Sequence, residues 1–576
     1  MVEKVRITMK KRIALFGLMV AGTLAGGVLL PHQWLKPAFN YSAYYFVLTA
    51  FVIWAALVIR ATGGRVKALV KDHYAGLLLC TGIMTLIFYL SPPQFKILAD
   101  ETNLVGVSMA MHKNKTVSVP LQGLALDYTD YDYTGGIDQR PPGFPFFVSL
   151  FHALLGYSPY NGFVLNFVAG ILALFFLYLL LSRKFSAYYG FLGVLLAVAC
   201  PIFTFWATSS GFEVLNLFLV VFVFAVLDEF IKARRAERAE LLFLSLVMLA
   251  YCRYESAVFI LALPVLAPWL MTRDMIEGYR LPTLLCPVLL MPLIWQRRLY
   301  FFSGAILAGD ARQTADQLFG LANLTRHFSP NMFVLSGLDS ALGFVPVLFV
   351  LSAAGMYGLV KRFFLPADRL DEVNRAVIIY GVVCAVALFL LYSAFYWGNF
   401  ATDIDNRLAL VFIPFLVVPA VYLVHRRIHH RATGFWKGIV VFLAVIQVLQ
   451  YRPVAEKQKL VQGKALTYEY NSVLAFIQKA YDLDREKLLV ISDRPNFYVI
   501  HKTGSVGFDF AGRRVDQLRR LKQIYYNDIL VFQRPDPATG RIPPNQLLPA
   551  EYRLRHLKDI PVGPGYCVRI SSADLD

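Results

Sequence analysis

The chain has 576 residues, of which 57% are hydrophobic and only 16% charged, with a mean hydropathy of +0.54. A soluble protein of this length needs far more polar surface, so composition excludes a soluble globular or disordered chain and implies a polytopic α-helical membrane protein. The formal charge of +18 is dispersed in short clusters between apolar spans, which argues against nucleic acid and for anionic lipid headgroups as the partner.

Apolar stretches of about 20 residues can cross a bilayer, and basic ends mark them off along the chain. The segment MVEKVRITMKKR precedes the first, 13–31. It lacks a clear small-residue cleavage site, so a retained helix is predicted rather than a cleaved signal. Lys10, Lys11 and Arg12 place the N-terminus in the cytoplasm. The second span, 41–60, returns to a loop carrying Arg60, Arg65, Lys67 and Lys71. The third, 74–91, leads outward to a long polar loop, about 92–159. Within that loop FPFFVSLFHALLG, 144–156, is too short to span and reads as a helix lying in the interface.

The span 160–181 then crosses inward to Arg183-Lys184. Spans near 187–206 and 213–231 follow, the second ending at Lys232, Arg234, Arg235 and Arg238. The stretch 239–271 is too long for one helix and is interrupted by Cys252-Arg253-Tyr254-Glu255, so two helices meeting at the outer surface are expected. A span at 281–297 reaches a second external loop, about 298–341, followed by spans at 342–361, 374–395, 407–424 and 434–451. About thirteen crossings place the C-terminus outside. The basic loops obey this parity except Arg297-Arg298, which fall on the external face.

Residues 1–451 thus form a transmembrane domain, and 452–576 an external α/β domain. KLLVISD (487–493) and DILVFQR (528–534) read as buried strands, and 473–483 and 515–526 have helical spacing. Their alternation predicts a mostly parallel sheet. The six cysteines, Cys80, Cys200, Cys252, Cys286, Cys384 and Cys567, show no paired spacing, so neither disulfides nor a zinc site is expected.

Candidate chemistry gathers on the external face. Asp100-Glu101 opens the first loop directly after a span. A carboxylate at a membrane edge is either the solvated start of a loop or a general base. Arg140 precedes Pro141-Pro142, which stiffen the exit from the loop. Its guanidinium either anchors the next helix to headgroups or binds a phosphate. Arg253 and Glu255 form an ion pair or serve a site. Glu213 reads as an interfacial cap, and Arg407 as a phosphate ligand or a partner of Asp403 or Asp405. Tyr128, Tyr131 and Tyr133 suit an aromatic belt or stacking on a sugar. Asp127, Asp130, Asp132 and Asp138 have the chemistry to hold a divalent cation but match no recognised metal pattern.

These motifs resemble, in order and topology, the membrane glycosyltransferases with a GT-C fold. An acidic pair and a small-residue helix (DETNLVGVSMAM) precede a basic-Pro-Pro step and an apolar segment ending in Leu-Gly (RPPGFPFFVSLFHALLG). The branch resembled contains the protein O-mannosyltransferases and the aminoarabinose transferases of lipid A. The resemblance is firmest over 98–260 and extends to NRLALVFIPFL and the C-terminal domain. It implies Asp100 as catalytic base and Arg140 as a donor-phosphate ligand, and the residues themselves offer Arg253 or Arg407 as further phosphate ligands. Glu101, Asp138 and Tyr133 become donor or acceptor contacts. Where family members carry an arginine and a tyrosine after the acidic pair, this chain has Asn103-Leu104. Two additional helices also precede the one that feeds the loop.

The implied function is inverting sugar transfer from a polyprenyl-phosphate donor to a lipid, glycan or protein acceptor. It takes place at the external face of a bacterial inner membrane and has no obligatory cofactor or metal. The competing reading is a transporter or flippase of lipid-linked saccharides. A transporter places charge near the midplane on broken helices in paired halves, whereas here charge collects at one face and no repeat is evident.

Overall fold

The computed structural model describes residues 9–64, 66–124, 135–302, 319–338, 343–364, 372–428, 442, 466–481, 487–563 and 566–575. The expected span at 434–451 lies, Phe442 apart, outside the described residues. Two compact units form. One comprises Met1–Pro93, Gln139–Phe144 and Phe163–Ala455; the other comprises Gln94–Asp138, Pro145–Gly162 and Glu456–Asp576.

The first unit is helical. It contains α1 (Met9–Leu29), α2 (His32–Thr62) and α3 (Val66–Leu90). In the chain the second unit's α4 (Leu98–Asn114) and α5 (Gly143–Leu155), which belongs to that unit from Pro145 on, come next. The helical unit resumes with α6 (Asn161–Lys184), α7 (Ala187–Val198), α8 (Pro201–Ala207), α9 (Glu213–Ala233) and α10 (Ala236–Cys252). A broken apolar stretch, α11 (Tyr254–Leu270), leads to α12 (Leu281–Leu289) and α13 (Met291–Phe302). The unit continues with α14 (Leu321–Ser336), α15 (Pro346–Phe364), α16 (Glu372–Ala394), a 3₁₀ turn over Asp405–Phe412 and α17 (Ile413–Ile428).

By length and composition, seven helices among the described residues can cross a membrane, or eight if α7 and α8 count as one span. The chain is an integral membrane protein. This tally covers the described residues alone, and within them several apolar stretches are broken. Pro201 starts α8, and α7 and α8 meet at a 76° bend. Arg253 takes an extended conformation (φ −152°, ψ 132°) that stops α10, and Pro264 and Pro268 keep α11 in short turns. The core of the unit is aromatic and closely packed: Phe203, Phe205, Trp206, Tyr251, Tyr380 and Tyr392 are all fully buried.

The second unit holds α18 (Leu466–Ala480), β1 (Leu488–Ile491), α19 (Asn496–Val499), β2 (Gly504–Val506), α20 (Phe508–Arg513) and α21 (Val515–Ile524). It ends with β3 (Asp528–Gln533), β4 (Tyr552–Gly563) and β5 (Tyr566–Leu575). The strand order is β2-β1-β3-β5-β4. Strands β2, β1 and β3 are parallel, whereas β3–β5 and β5–β4 are antiparallel. The sheet is therefore mixed, which corrects the expectation of a mostly parallel one. No crossover helix separates β3, β4 and β5, and β4 carries Arg553, Arg555, Lys558 and Asp559, charges suited to an exposed edge.

Side chains alternate across this sheet. Leu489, Ile491, Ile529 and Val531 pack with Phe508, Ala511, Leu518 and Leu521 of α20 and α21. On the other face Phe532 meets Tyr498 of α19 with ring centroids 5.4 Å apart. The segment after α4 completes the β2 edge, since Gly123 and Ser505 exchange backbone hydrogen bonds at 2.9 and 2.8 Å.

Candidate active site

In the second unit, the acidic pair starts α4. Glu101 is 1% exposed and accepts hydrogen bonds from the backbone N–H groups of Lys96 and Ile97, each at 3.0 Å. It thereby satisfies donors at a helix start that otherwise go unmet. Asp100 lies in the same first turn and is half-buried. The positive end of the helix dipole favours negative charge there. Burial lowers the Lys96 ammonium to about 7, although Glu101 raises it. Asn103, one turn beyond Asp100, accepts a hydrogen bond from Asn496 Nδ2 at 3.0 Å. Asp138 is buried, at 7% exposure. Tyr133 lies outside the described residues, as do Asp127, Tyr128, Asp130, Tyr131 and Asp132.

His152 of α5 is fixed in the same unit. Asn161 Nδ2 donates to its Nδ1 at 2.9 Å, so the ring proton resides on Nε2, 2.9 Å from Ser108 Oγ. The Ser108 hydroxyl in turn donates to Val105 O at 2.7 Å. Burial pushes the imidazole down to about 3, with His112 adding to the effect. This ring is a neutral pin between α4 and α5.

In the helical unit, Arg253 stands at the turn that ends α10, with Arg297 and the backbone of the Arg140 step beside it. A Cβ on Gly143 would lie 2.5 Å from Tyr251 O and 2.9 Å from Cys252 N, so only glycine allows this approach. Backbone contact thus sets the Arg140–Gly143 step against the residues that introduce Arg253. Gln296 Nε2 of α13 donates to Arg140 O at 2.7 Å. The next residue, Arg297, stacks its guanidinium over the Tyr254 ring at 3.5 Å from the centroid.

Arg253 is 3% exposed and pairs with Glu255 at 3.1 Å. Its guanidinium lies 5.2 Å from the Phe212 ring centroid and 5.4 Å from that of Tyr392. Arg407 pairs with Glu213 at 3.4 Å, a partner the sequence did not suggest. Glu213 is buried rather than an interfacial cap. Its carboxylate folds back over Gly211, where a Cβ would lie 2.1 Å from Oε2.

Arg253 and Arg407 pair with Glu255 and Glu213, Arg297 stacks on Tyr254, and Arg140 approaches through its backbone; guanidinium forks of this kind suit a phosphate. Sequence reasoning had assigned no role to Arg297, yet its breach of the positive-inside pattern was the signal. Its neighbour Arg298 is structural, donating to Gly27 O at 2.8 Å and Leu30 O at 2.9 Å at the end of α1. Among the described residues, no three His, Cys, Asp or Glu side chains converge as a metal-binding group.

Residues 139–295 match the family model for dolichyl-phosphate-mannose-protein mannosyltransferases, a segment holding Arg140, Glu213, Arg253 and Glu255. No curated protein matches the chain. Among solved structures, ArnT from Cupriavidus metallidurans bound to undecaprenyl phosphate superposes with a TM-score of 0.51 at 12% identity. The match covers 86% of this chain and 97% of that one. The apo form of ArnT gives 0.48 at 13% identity, covering 87% and 98%. The arabinosyltransferase EmbB from Mycobacterium smegmatis gives 0.35 at 9% identity, covering 70% and 42%. The protein is an integral membrane protein with the GT-C fold of ArnT, and its segment 139–295 is similar to the dolichyl-phosphate-mannose-protein mannosyltransferase model.

Proposed function

We propose that the protein is an inverting glycosyltransferase that moves a sugar from a polyprenyl-phosphate donor to a lipid, glycan or protein acceptor. The observation that carries this reading is the packing of the Arg140–Gly143 step against the turn bearing Arg253, beside which Arg297 stacks on Tyr254. ArnT, whose fold this chain shares, was solved holding undecaprenyl phosphate, and that supports a lipid phosphate as the group those arginines meet.

Asp100 takes the proton from the acceptor hydroxyl or amine. The acceptor atom then attacks the anomeric carbon from the face opposite the phosphate. The anomeric C–O bond breaks, its electron pair leaves on the lipid phosphate, and Arg140, Arg253, Arg297 and Arg407 stabilise that charge. Glu101 fixes the turn that presents Asp100, while Asp138 and Tyr133 contact sugar hydroxyls. No step requires a nucleotide or a metal. The reaction takes place at the external face, with the N-terminus cytoplasmic.

The test is transfer from a radiolabelled polyprenyl-phosphate sugar pool by purified protein in lipid, with a host membrane extract as acceptor. Wild type transfers label, whereas Asp100→Asn loses transfer with donor binding and melting temperature retained. Equal transfer by the variant would remove Asp100 as base. Movement of the lipid-linked sugar across vesicles with no covalent product would favour a transporter instead.

A further inference from the structure

The sheet of the second unit is wound in both directions. From β1 the chain passes by α19, on the Phe532 face, to β2 on one side. From β2 it passes by α20 and α21, on the opposite face, to β3 on the other side of β1. The connections therefore diverge between the C-terminal ends of β1 and β3. In open α/β sheets, ligands bind at such a divergence.

The residues at those two strand ends are polar or charged. Ser492, Asp493 and Arg494 follow β1, and Arg534 follows β3. Arg534 is committed, since it pairs with both Glu469 of α18 and Asp493. Arg494 sits beside this trio without a hydrogen-bonded carboxylate. Its Nη1 is buried and has no hydrogen-bond partner among the described residues. Its guanidinium lies 5.8 Å from the Phe497 ring centroid, and its backbone N–H is anchored to Ser492 Oγ at 3.2 Å. Burial and the neighbouring Arg534 both push Arg494 below the usual guanidinium range. A buried donor left open is costly unless a ligand completes it. Asp493 and Glu469 are partly exposed, at 28% and 14% of their side chains, and their remaining lone pairs can accept from hydroxyls.

We propose that Arg494, with Asp493 and Glu469, forms a subsite for a sugar bearing an oxyanion, either a phosphate or a carboxylate. Arg494 takes the oxyanion in a charge-assisted hydrogen bond, and the two acids take neighbouring hydroxyls. Binding at this subsite does not depend on the transferase reading. Its role in presenting an anionic acceptor does.

The experiment is saturation-transfer difference NMR on the full chain in lipid nanodiscs, with glucose 6-phosphate, glucuronate and glucose as probes. Signals from one or both charged sugars, displaced by inorganic phosphate and weakened about tenfold or more in Arg494→Gln, are expected. Which charged sugar responds identifies phosphate or carboxylate as the recognised group. Arg494→Lys, keeping the charge, retains part of the binding and guards against a folding loss in the glutamine variant. Glucose binding as well as the charged sugars would overturn the proposal, as would no signal from either anion or equal binding by a folded Arg494→Gln. If no acceptor is glycosylated while the sugar phosphate still binds, the transferase reading fails and this site stands. Glycosylation without probe binding gives the reverse.

Discussion

The Arg253 guanidinium lies 3.1 Å from the Glu255 carboxylate, two residues away, in a position where the arginine is 3% exposed. The pairing is local: Arg253 is extended, and Glu255 lies in the first turn of the short helix that follows it. Removing one member strands the other's charge in a buried setting. Arg253→Met is expected to lower stability by about 3–5 kcal/mol, and Arg253→Met with Glu255→Gln to recover much of that loss. Melting curves of the single and double variants in detergent check this. Both remain inactive if the guanidinium meets the donor phosphate.

Gly143 bears on stability and function together. Gly143→Ala forces a methyl group against Tyr251 O, and overpacking of this kind costs about 1–3 kcal/mol. Because the same contact sets Arg140 beside the Arg253 turn, the variant is expected to lose transfer beyond what its lowered melting temperature explains. Activity measured well below the melting transition separates the two effects.

Arg297 and Arg298 are adjacent in sequence and differ in role. Arg297→Ala removes a cation stacked on Tyr254 and is expected to raise the KM for the polyprenyl-phosphate donor about tenfold. Arg298→Ala releases the carbonyls at the end of α1 and lowers stability, with the donor KM unchanged. Initial-rate kinetics on both variants, alongside their melting curves, make the comparison.

The His152 pin predicts an acid-side loss of stability. Its folded value of about 3 lies below the ordinary 6.5. Between these values the unfolded chain binds a proton that the folded one does not, so stability falls as pH falls from 6.5 toward 3. The slope from this one group is about 1.4 kcal/mol per pH unit. His152→Gln, which cannot titrate, is expected to flatten the melting profile in that window. An unchanged profile would show that the ring does not remain neutral.

The readable part of this chain was the part governed by local rules. The spans near 213–231 and 160–181 emerge as α9 and α6 because length and apolarity alone define them. The short helix at 144–156 and the break at Arg253 were equally visible. The Glu213–Arg407 pair was hidden, since nothing local favours a partner almost two hundred residues away over Asp405. The β4–β5 hairpin was missed because its outer strand carries charges that mask any apolar alternation. The capping role of Glu101 was concealed as well, for an acidic pair looks the same whether it caps a helix or serves a reaction.

The bond between Asn103 and Asn496 joins residues 393 positions apart, so α4 and its neighbour α19 are made at opposite ends of translation. The turn bearing Asp100 must wait, after its own synthesis, for most of the remaining chain before it can dock. Long-range closure of this kind is slow and leaves early segments exposed. A ribosome stalled before residue 496 would therefore carry membrane helices already inserted and an acidic helix still without its seat. The Asn103–Asn496 bond thus ties the final placement of the turn bearing Asp100 to synthesis of the chain through residue 496.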